Sequence, residues 1–285
     1  MSVALDRWEA ALRARAIPQR ILDAAPESPW GFPSESFRRR AATAVAATEE
    51  TVTTRRAAER LPEEGTVLDV GVGGGATSLP LAARAVRIVG VDEQADMLEA
   101  FTRAARAAGV EPLTVLGRWP DVADGVAGAD VVVSGHTAYN VADLGPFARA
   151  LDTHARKRVV LELTDRHPLG WMQDLWRRFH GITIANEPGA DLATEALAEL
   201  GFSTHREDRE VADDPSAGGF ERRDAAVAFV RRRLCLTPDR DAEVAEALGD
   251  RLRERSGIWS AGPATRTFVT LWWDTDQADL SNPRS

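Results

Sequence analysis

From Gly65 onward the chain alternates between two textures. Short apolar runs rich in β-branched residues are followed by alanine-rich stretches with helical spacing. "TVLDVG" (66–71) precedes a helical pattern reaching about Arg84, and "VRIVGVD" (86–92) precedes one over roughly 95–108. "LTVL" (113–116) leads into a weak segment, and "ADVVVSG" (129–135) precedes a helix over about 143–154. "RVVLEL" (158–163) comes next, then a helix near 190–200. Runs this short and this continuously apolar belong to strands covered on both faces, as in a parallel sheet. Alternation with helices builds right-handed βαβ units and a doubly wound α/β sheet.

The flanks read differently. The first sixty residues look helical, interrupted by "APESPWGFPS" (25–34), where three prolines and a glycine forbid regular helix. "FSTHREDREVA" (202–212) fits a strand with one charged face, a helical block covers about 220–255, and "RTFVTLWWD" (266–274) is a late apolar strand. The expected organisation is an N-terminal helical cap over 1–60, a core domain over 61–275 with a helical insert at about 214–262, and a flexible tail over 276–285. The cap segments "SPWGFP" (28–33) and "TVTTRR" (51–56) are expected to fold over the ligand site.

Composition narrows the class. Of 285 residues, 44% are hydrophobic and 28% charged, ordinary for a globular protein. The net charge of −9 argues against a phosphate-backbone partner, so nucleic acid is an unlikely ligand. The basic run Arg231–Arg233 reads as a solvated helix face. A lone cysteine, Cys235, between two leucines reads as buried filler and points to a reducing compartment. No run approaches the ~20 apolar residues of a membrane helix, and charges break the N-terminal stretch too often for a secretory signal. A cytoplasmic protein is expected.

The chemistry begins at "VLDVGVGGGA" (67–76). A glycine loop after a strand lies at the carboxyl edge of an α/β sheet, where ligands bind. One reading is a dinucleotide fingerprint, Gly71-x-Gly73-x-x-Ala76 with Asp92 as the ribose acid, which would make the protein an NAD(P)-dependent oxidoreductase. The other starts two residues earlier, at Asp69. A helix N-terminus binds pyrophosphate through free N–H groups and its positive dipole end, and an acid just below would oppose that anion. The same acid suits a ligand bearing an ammonium group.

With Asp69 included, the sequence resembles the class I S-adenosylmethionine (SAM) methyltransferases. "LDVGVGGG" looks like their first motif, "VGVDEQADML" like the end of their second strand, "GADVVVSGHTAYNV" like their fourth, and "RTFVTLWWD" like their final, antiparallel strand. The resemblance covers roughly residues 60–212 and 264–274. It implies a Rossmann-like seven-stranded sheet, mostly parallel with an antiparallel last strand, and SAM as cofactor. It also implies that Gly71, Gly73 and Gly75 border the methionine part of SAM, with Asp69 near its amino group, and that Asp92 holds the ribose hydroxyls. Asp92 would otherwise cap the following helix. Glu93, Met97 and Ser134 complete the expected cofactor shell, Met97 flanking adenine or filling the core. Where the family often places an acid or amide to read adenine, this chain has Arg118, which cannot accept a hydrogen bond. Trp119 is the alternative cover for the ring.

Methyl transfer from a sulfonium is an in-line displacement needing mainly alignment and exclusion of water. His136 and Tyr139, after the fourth strand, are the candidate proton handlers, His136 otherwise serving as a positioning or cofactor contact. Asn140, His167, Trp171 and Trp176 are the candidate acceptor contacts, although the tryptophan spacing also suits a helix packed on the core. The spacing of Asp165, His167 and His180 fits no metal motif, and no metal is expected. The function expected is methyl transfer to a small-molecule acceptor. A SAM-binding protein without turnover is the further alternative, and the oligomeric state is open.

Overall fold

The computed structural model describes residues 3–30, 34–47, 49–215 and 218–275. The expected tail at 276–285 and Gly31–Pro33 of the "SPWGFP" segment lie outside the described residues. Four helices open the chain: α1 (Val3–Arg13), α2 (Gln19–Asp23), α3 (Ser34–Ala46) and α4 (Val52–Ala58). The core then runs β1 (Gly65–Val70), β2 (Ala85–Asp92), α5 (Ala95–Ala107), β3 (Glu111–Leu116), β4 (Ala129–Gly135), α6 (Leu144–His154), β5 (Ala155–Thr164), α7 (Gln173–His180), α8 (Ala190–Glu199) and β6 (His205–Ala212). Helices α9 (Arg223–Arg233) and α10 (Asp241–Leu248), a ribbon of β7 (Leu252–Arg255) and β8 (Ile258–Ala261), and β9 (Thr265–Asp274) close it.

Seven strands form one sheet in the order β3-β2-β1-β4-β5-β9-β6. The pairs from β3 to β5 are parallel, and β9 inserts antiparallel between β5 and β6. This is the Rossmann-like methyltransferase arrangement, with strand order reversing between β1 and β4. The central strands are buried on both faces, which is why they read as unbroken apolar runs.

Two cores flank the sheet. On one face, Ala57, Leu61, Leu79, Leu98 and Phe101 pack over Val67, Ile88, Val131 and Val160. On the other, Trp8 of α1 joins Phe147, Leu151 and Leu197 over Leu68, Val132 and Leu161. Trp8 is fully buried and donates through Nε1 to the Val141 carbonyl at 2.8 Å. So α1 packs beside α6 and α8 and is part of the layered core, whereas α3 is the N-terminal element over the glycine loop. A third cluster joins Ile17 and Ile21 to α7, α9 and α10.

Three local features depart from the sequence pattern. The helix expected between β1 and Arg84 is reduced to one 3-10 turn, Leu79–Leu81. Pro80 has no N–H to donate and biases Leu79 away from helical backbone. The insert before β9 carries, besides its helices, the β7–β8 ribbon, whose exposed charged residues hide its alternation. Finally, the Arg231–Arg233 run is not a solvated face: Arg231 and Arg233 are buried, and Arg231 pairs with Glu27 at 2.9 Å and Asp241 at 2.8 Å. These partners come from α2's flank and α10, so the run ties the insert to the N-terminal helices. Cys235 is buried, and burial raises its thiol pKa. Among the described residues no helix is long and apolar enough to cross a membrane.

Candidate functional site

The site is built where β1 and β4 end. Gly71, Gly73 and Gly75 have φ of 74°, 49° and 89°, backbone that only glycine adopts without strain. At Gly71 there is a second reason: a Cβ would lie 2.0 Å from Thr137 Oγ1 of the loop after β4. The two loops therefore meet with no room for a side chain. The Ser134 hydroxyl at 2.8 Å and the Thr137 hydroxyl at 3.1 Å both donate to the Val70 carbonyl, fixing the end of β1. From above, α3 lays Phe37 against Gly73 and its backbone against Gly74, where a Cβ would sit 2.6 Å from the Phe37 carbonyl oxygen.

Asp69 lies beneath this loop and is 1% exposed. Neither carboxylate oxygen has a well-formed hydrogen bond among the described residues, the hydroxyl and N–H of Ser78 being the donors close enough to act on it. Burial, reinforced by the charge of Asp92, pushes its pKa up to about 7, with Ser78 opposing the shift. A buried carboxylate so poorly partnered costs several kcal/mol unless something cationic completes it. Asp69 is thus a buried acid under the glycine loop whose charge the fold leaves largely uncompensated.

Asp92, at the end of β2, accepts from the Gly73 N–H at 2.9 Å and the Gln94 N–H at 3.0 Å. It ties the glycine loop to the start of α5, and each oxygen keeps a further acceptor site. Glu93 is exposed beside it, while Met97 is buried on α5. Trp119 is buried at 4% exposure, edge-on to His154 at 4.8 Å, with its Nε1 unpartnered. Arg118 is exposed and donates to the Asn140 carbonyl at 3.4 Å.

Past β4 the structure assembles a second group. His136 has φ of 58°, a left-handed conformation uncommon for a histidine, and its N–H donates to the Glu162 carbonyl at 2.8 Å. Its Nε2 stands 3.3 Å from Glu162 Oε1, while Nδ1 is buried and unpartnered. Phe268 meets the ring edge-on at 5.6 Å. The Thr53 hydroxyl of α4 donates to Glu162 Oε2 at 2.6 Å and lies 2.9 Å from the Thr270 hydroxyl. Burial works to raise the Glu162 pKa, but the hydrogen bonds of His136 and Thr53 and the charges of His136 and Arg40 hold it below the ordinary carboxylate range. Glu162 was not among the expected site residues. Its signal is an acid inside the apolar run "VVLELT".

Tyr139 serves differently. It is buried, its hydroxyl accepts from the Thr164 N–H at 2.8 Å, and it lies 3.1 Å from both Thr164 oxygens. Burial pushes its pKa up to about 12, so the phenol stays protonated and clamps the end of β5. His167 is held neutral, its pKa lowered to about 3 by burial and by the charges of Arg15 and Arg233. Its Nδ1 accepts from the Leu169 N–H at 3.1 Å. Asn140 is exposed, and Trp171 is half-buried under Arg251. Trp176 is a core residue of the third cluster, its ring tilted against that of His180 at 5.2 Å. Among the described residues no group of three or more acids, histidines or cysteines could hold a metal.

Comparison with known proteins agrees with this geometry. Residues 67–157, from β1 to β5, match the family model described as a methyltransferase domain. The matched span lies on a sheet with the strand order of the class I SAM-dependent methyltransferase fold. A curated relative, an uncharacterized protein of Haemophilus influenzae, is 34% identical over 103 residues, 35% of this chain. The match spans only 38% of that relative's length. Among solved structures, a cyclopropane-fatty-acyl-phospholipid synthase-like protein of Lactobacillus casei shares the fold at a TM-score of 0.51 and 16% identity, covering 90% of this chain and 98% of its own. The YcgJ protein of Bacillus subtilis does so at 0.50 and 15%, covering 79% and 98%.

Proposed function

We propose that this protein transfers a methyl group from SAM to a small-molecule acceptor by in-line displacement, working chiefly through alignment. The observation that carries the reading is the buried, largely uncompensated Asp69 carboxylate beneath a glycine loop in which a Cβ at Gly71, Gly74 or Gly75 would clash. A cation-bearing amino-acid end completes that acid, whereas the pyrophosphate of a dinucleotide would be repelled by it. When bound, SAM supplies an electrophilic methyl on a sulfonium whose departure leaves a neutral thioether.

The chain's own residues do the rest. Asp69 takes the ammonium, and Gly71, Gly73 and Gly75 allow close backbone approach. Asp92 offers its remaining acceptor sites to vicinal hydroxyls while holding the loop through Gly73. Helix α3 covers the cradle and excludes water. His136 is the group suited to hold a proton leaving the acceptor: Glu162 engages its Nε2, and the free Nδ1 is the acceptor atom. Absence of membrane-length helices among the described residues fits action in the cytoplasm.

Calorimetry with SAM, its demethylated product S-adenosylhomocysteine (SAH) and NADH tests the reading. SAM and SAH should bind and NADH should not; NADH binding without SAM binding refutes it. Asp92→Ala should weaken SAM more than tenfold, about 1.4 kcal/mol or more. An acceptor screen that detects a gain of one methyl separates the enzyme from a SAM-binding protein without turnover.

A further inference from the structure

Among the described residues, several partly buried arginines are matched by carboxylates. Arg158 pairs with Asp274 and Glu59, Arg251 with Asp174, and Arg253 with Asp213, each at 2.8 Å. Two arginines beside the His136–Glu162 pair are not. Arg266, at the carboxyl edge on β9, donates a hydrogen bond to the Pro168 carbonyl at 3.3 Å. Arg40 reaches in from α3 toward Gly218 of the insert. Among the described residues neither has a carboxylate within ion-pair distance.

Strand alternation places these groups together. Residues two apart on a strand share a face, so Arg266, Phe268 and Thr270 of β9 line up, and Thr270 stands opposite Glu162 of β5. That face is the one covered by α4, whose Thr53 bonds Glu162. Arg40 is solvent-exposed, and desolvation by surrounding protein lowers its pKa while the charge of Glu162 opposes the shift, which places it within electrostatic reach of that acid. Arg266 is shifted the same way, by burial first, with Asp213 opposing and Arg40 adding to it, so the two guanidiniums lie within electrostatic reach of one another. The acids in reach are already engaged, Glu162 by His136 and Thr53 and Asp213 by Arg253. Farther back, Arg15 and Arg233 add positive potential around His167.

We propose that the methyl acceptor is an anion, its carboxylate or phosphate held between Arg40 and Arg266 with its apolar part against Phe268. This rests on the methyltransferase reading for what the cleft is used for, while the anion site itself is tested separately. Guanidinium forks match both oxyanions, and a charge-assisted bidentate contact in a cleft gives orientation as well as affinity. Phe268 also meets the His136 ring, so an acceptor held there would lie on the side of the His136–Glu162 pair.

The test titrates benzoate, phenyl phosphate and neutral benzamide into the protein by calorimetry, with and without saturating SAH. At least one anion should bind tenfold or more tightly than benzamide, and the preferred one identifies the group. Arg40→Gln and Arg266→Gln should each lose tenfold or more of that affinity with SAH affinity kept within about threefold, since the cradle is untouched. Arg40→Lys and Arg266→Lys, which keep the charge and guard against misfolding, should restore part of the loss. Absence of anion binding in either state, equal binding of benzamide, or unchanged affinity in the Gln variants overturns the proposal. So does an equal loss of SAH and anion affinity in Arg40→Gln, which would assign Arg40 to the cofactor. If SAH fails to bind, the methyltransferase reading falls, and the titration without SAH still decides the anion site.

Discussion

Replacing Asp69 by asparagine should make the ligand-free protein less sensitive to alkaline pH and poorer at holding SAM. In an unfolded chain this carboxyl titrates near 3.8, and in the fold near 7, because burial disfavours its charge. The folded state therefore favours the protonated form. Its contribution is complete below pH 3.8 and is lost as pH rises through about 7. At 1.36 kcal/mol per pH unit, the full loss is about 4 kcal/mol, of which about 2.5 kcal/mol falls between pH 5 and 8. Urea unfolding of both proteins at those two values is the assay. Whatever fixed cost the buried amide brings, the stability difference between variant and parent should move by about 2.5 kcal/mol in the variant's favour toward pH 8. Conversely, SAM binding needs the ionised acid, so parent affinity should rise with pH through neutrality and release close to one proton per SAM near pH 6. The variant should bind about 10–100-fold more weakly, the value of a charge-assisted hydrogen bond, without that proton release. Parallel stability–pH curves for the two proteins would refute the claim that this carboxylate is desolvated and largely uncompensated.

Other perturbations probe neighbouring parts of the site. Gly71→Ala places a Cβ 2.0 Å from Thr137 Oγ1 at a φ of 74°, and should cost about 2–4 kcal/mol in urea unfolding. Thr137→Ala should recover only part, since the Thr137 Cβ itself lies 2.8 Å away. His136→Ala should lower turnover of an identified acceptor by about 10²-fold or more while SAH affinity changes little; equal losses would make it a cofactor contact. Glu162→Gln should keep SAH binding and shift the pH–rate profile, which an unaltered profile would contradict. Phe substituted for Tyr139 should lower the melting temperature by unpairing the Thr164 N–H, leaving the pH profile in place.

What the sequence disclosed follows from how local each feature is. The strands of the parallel sheet were legible because burial on both faces leaves an unbroken apolar run, and β4 emerges at the residues its pattern predicts. The helix after β1 was not, because one residue, Pro80, outweighs the helical spacing around it. Asp69, Asp92 and the glycines announce themselves as polar or achiral residues that interrupt the apolar runs at strand ends. Helical spacing could not distinguish Trp176 as core from Trp176 as acceptor wall, since both put an aromatic on the inner face, and only the partners in the third cluster decide it. The Arg231–Arg233 run misleads for the same reason: charge is local, but Glu27 and Asp241, which neutralise Arg231, lie far off in the chain. Arg40 and Arg266 carry this to its limit. They stand near opposite ends of the sequence, and no spacing encodes their meeting. What marks them is a mismatch seen only in three dimensions, two cations beside acids that already have other partners. On the proposed reading, the donor half of the site is written at two adjacent strand ends, the loop after β1 and Asp92 at the end of β2, while the acceptor half needs α3 and the last strand brought together, which only the fold does.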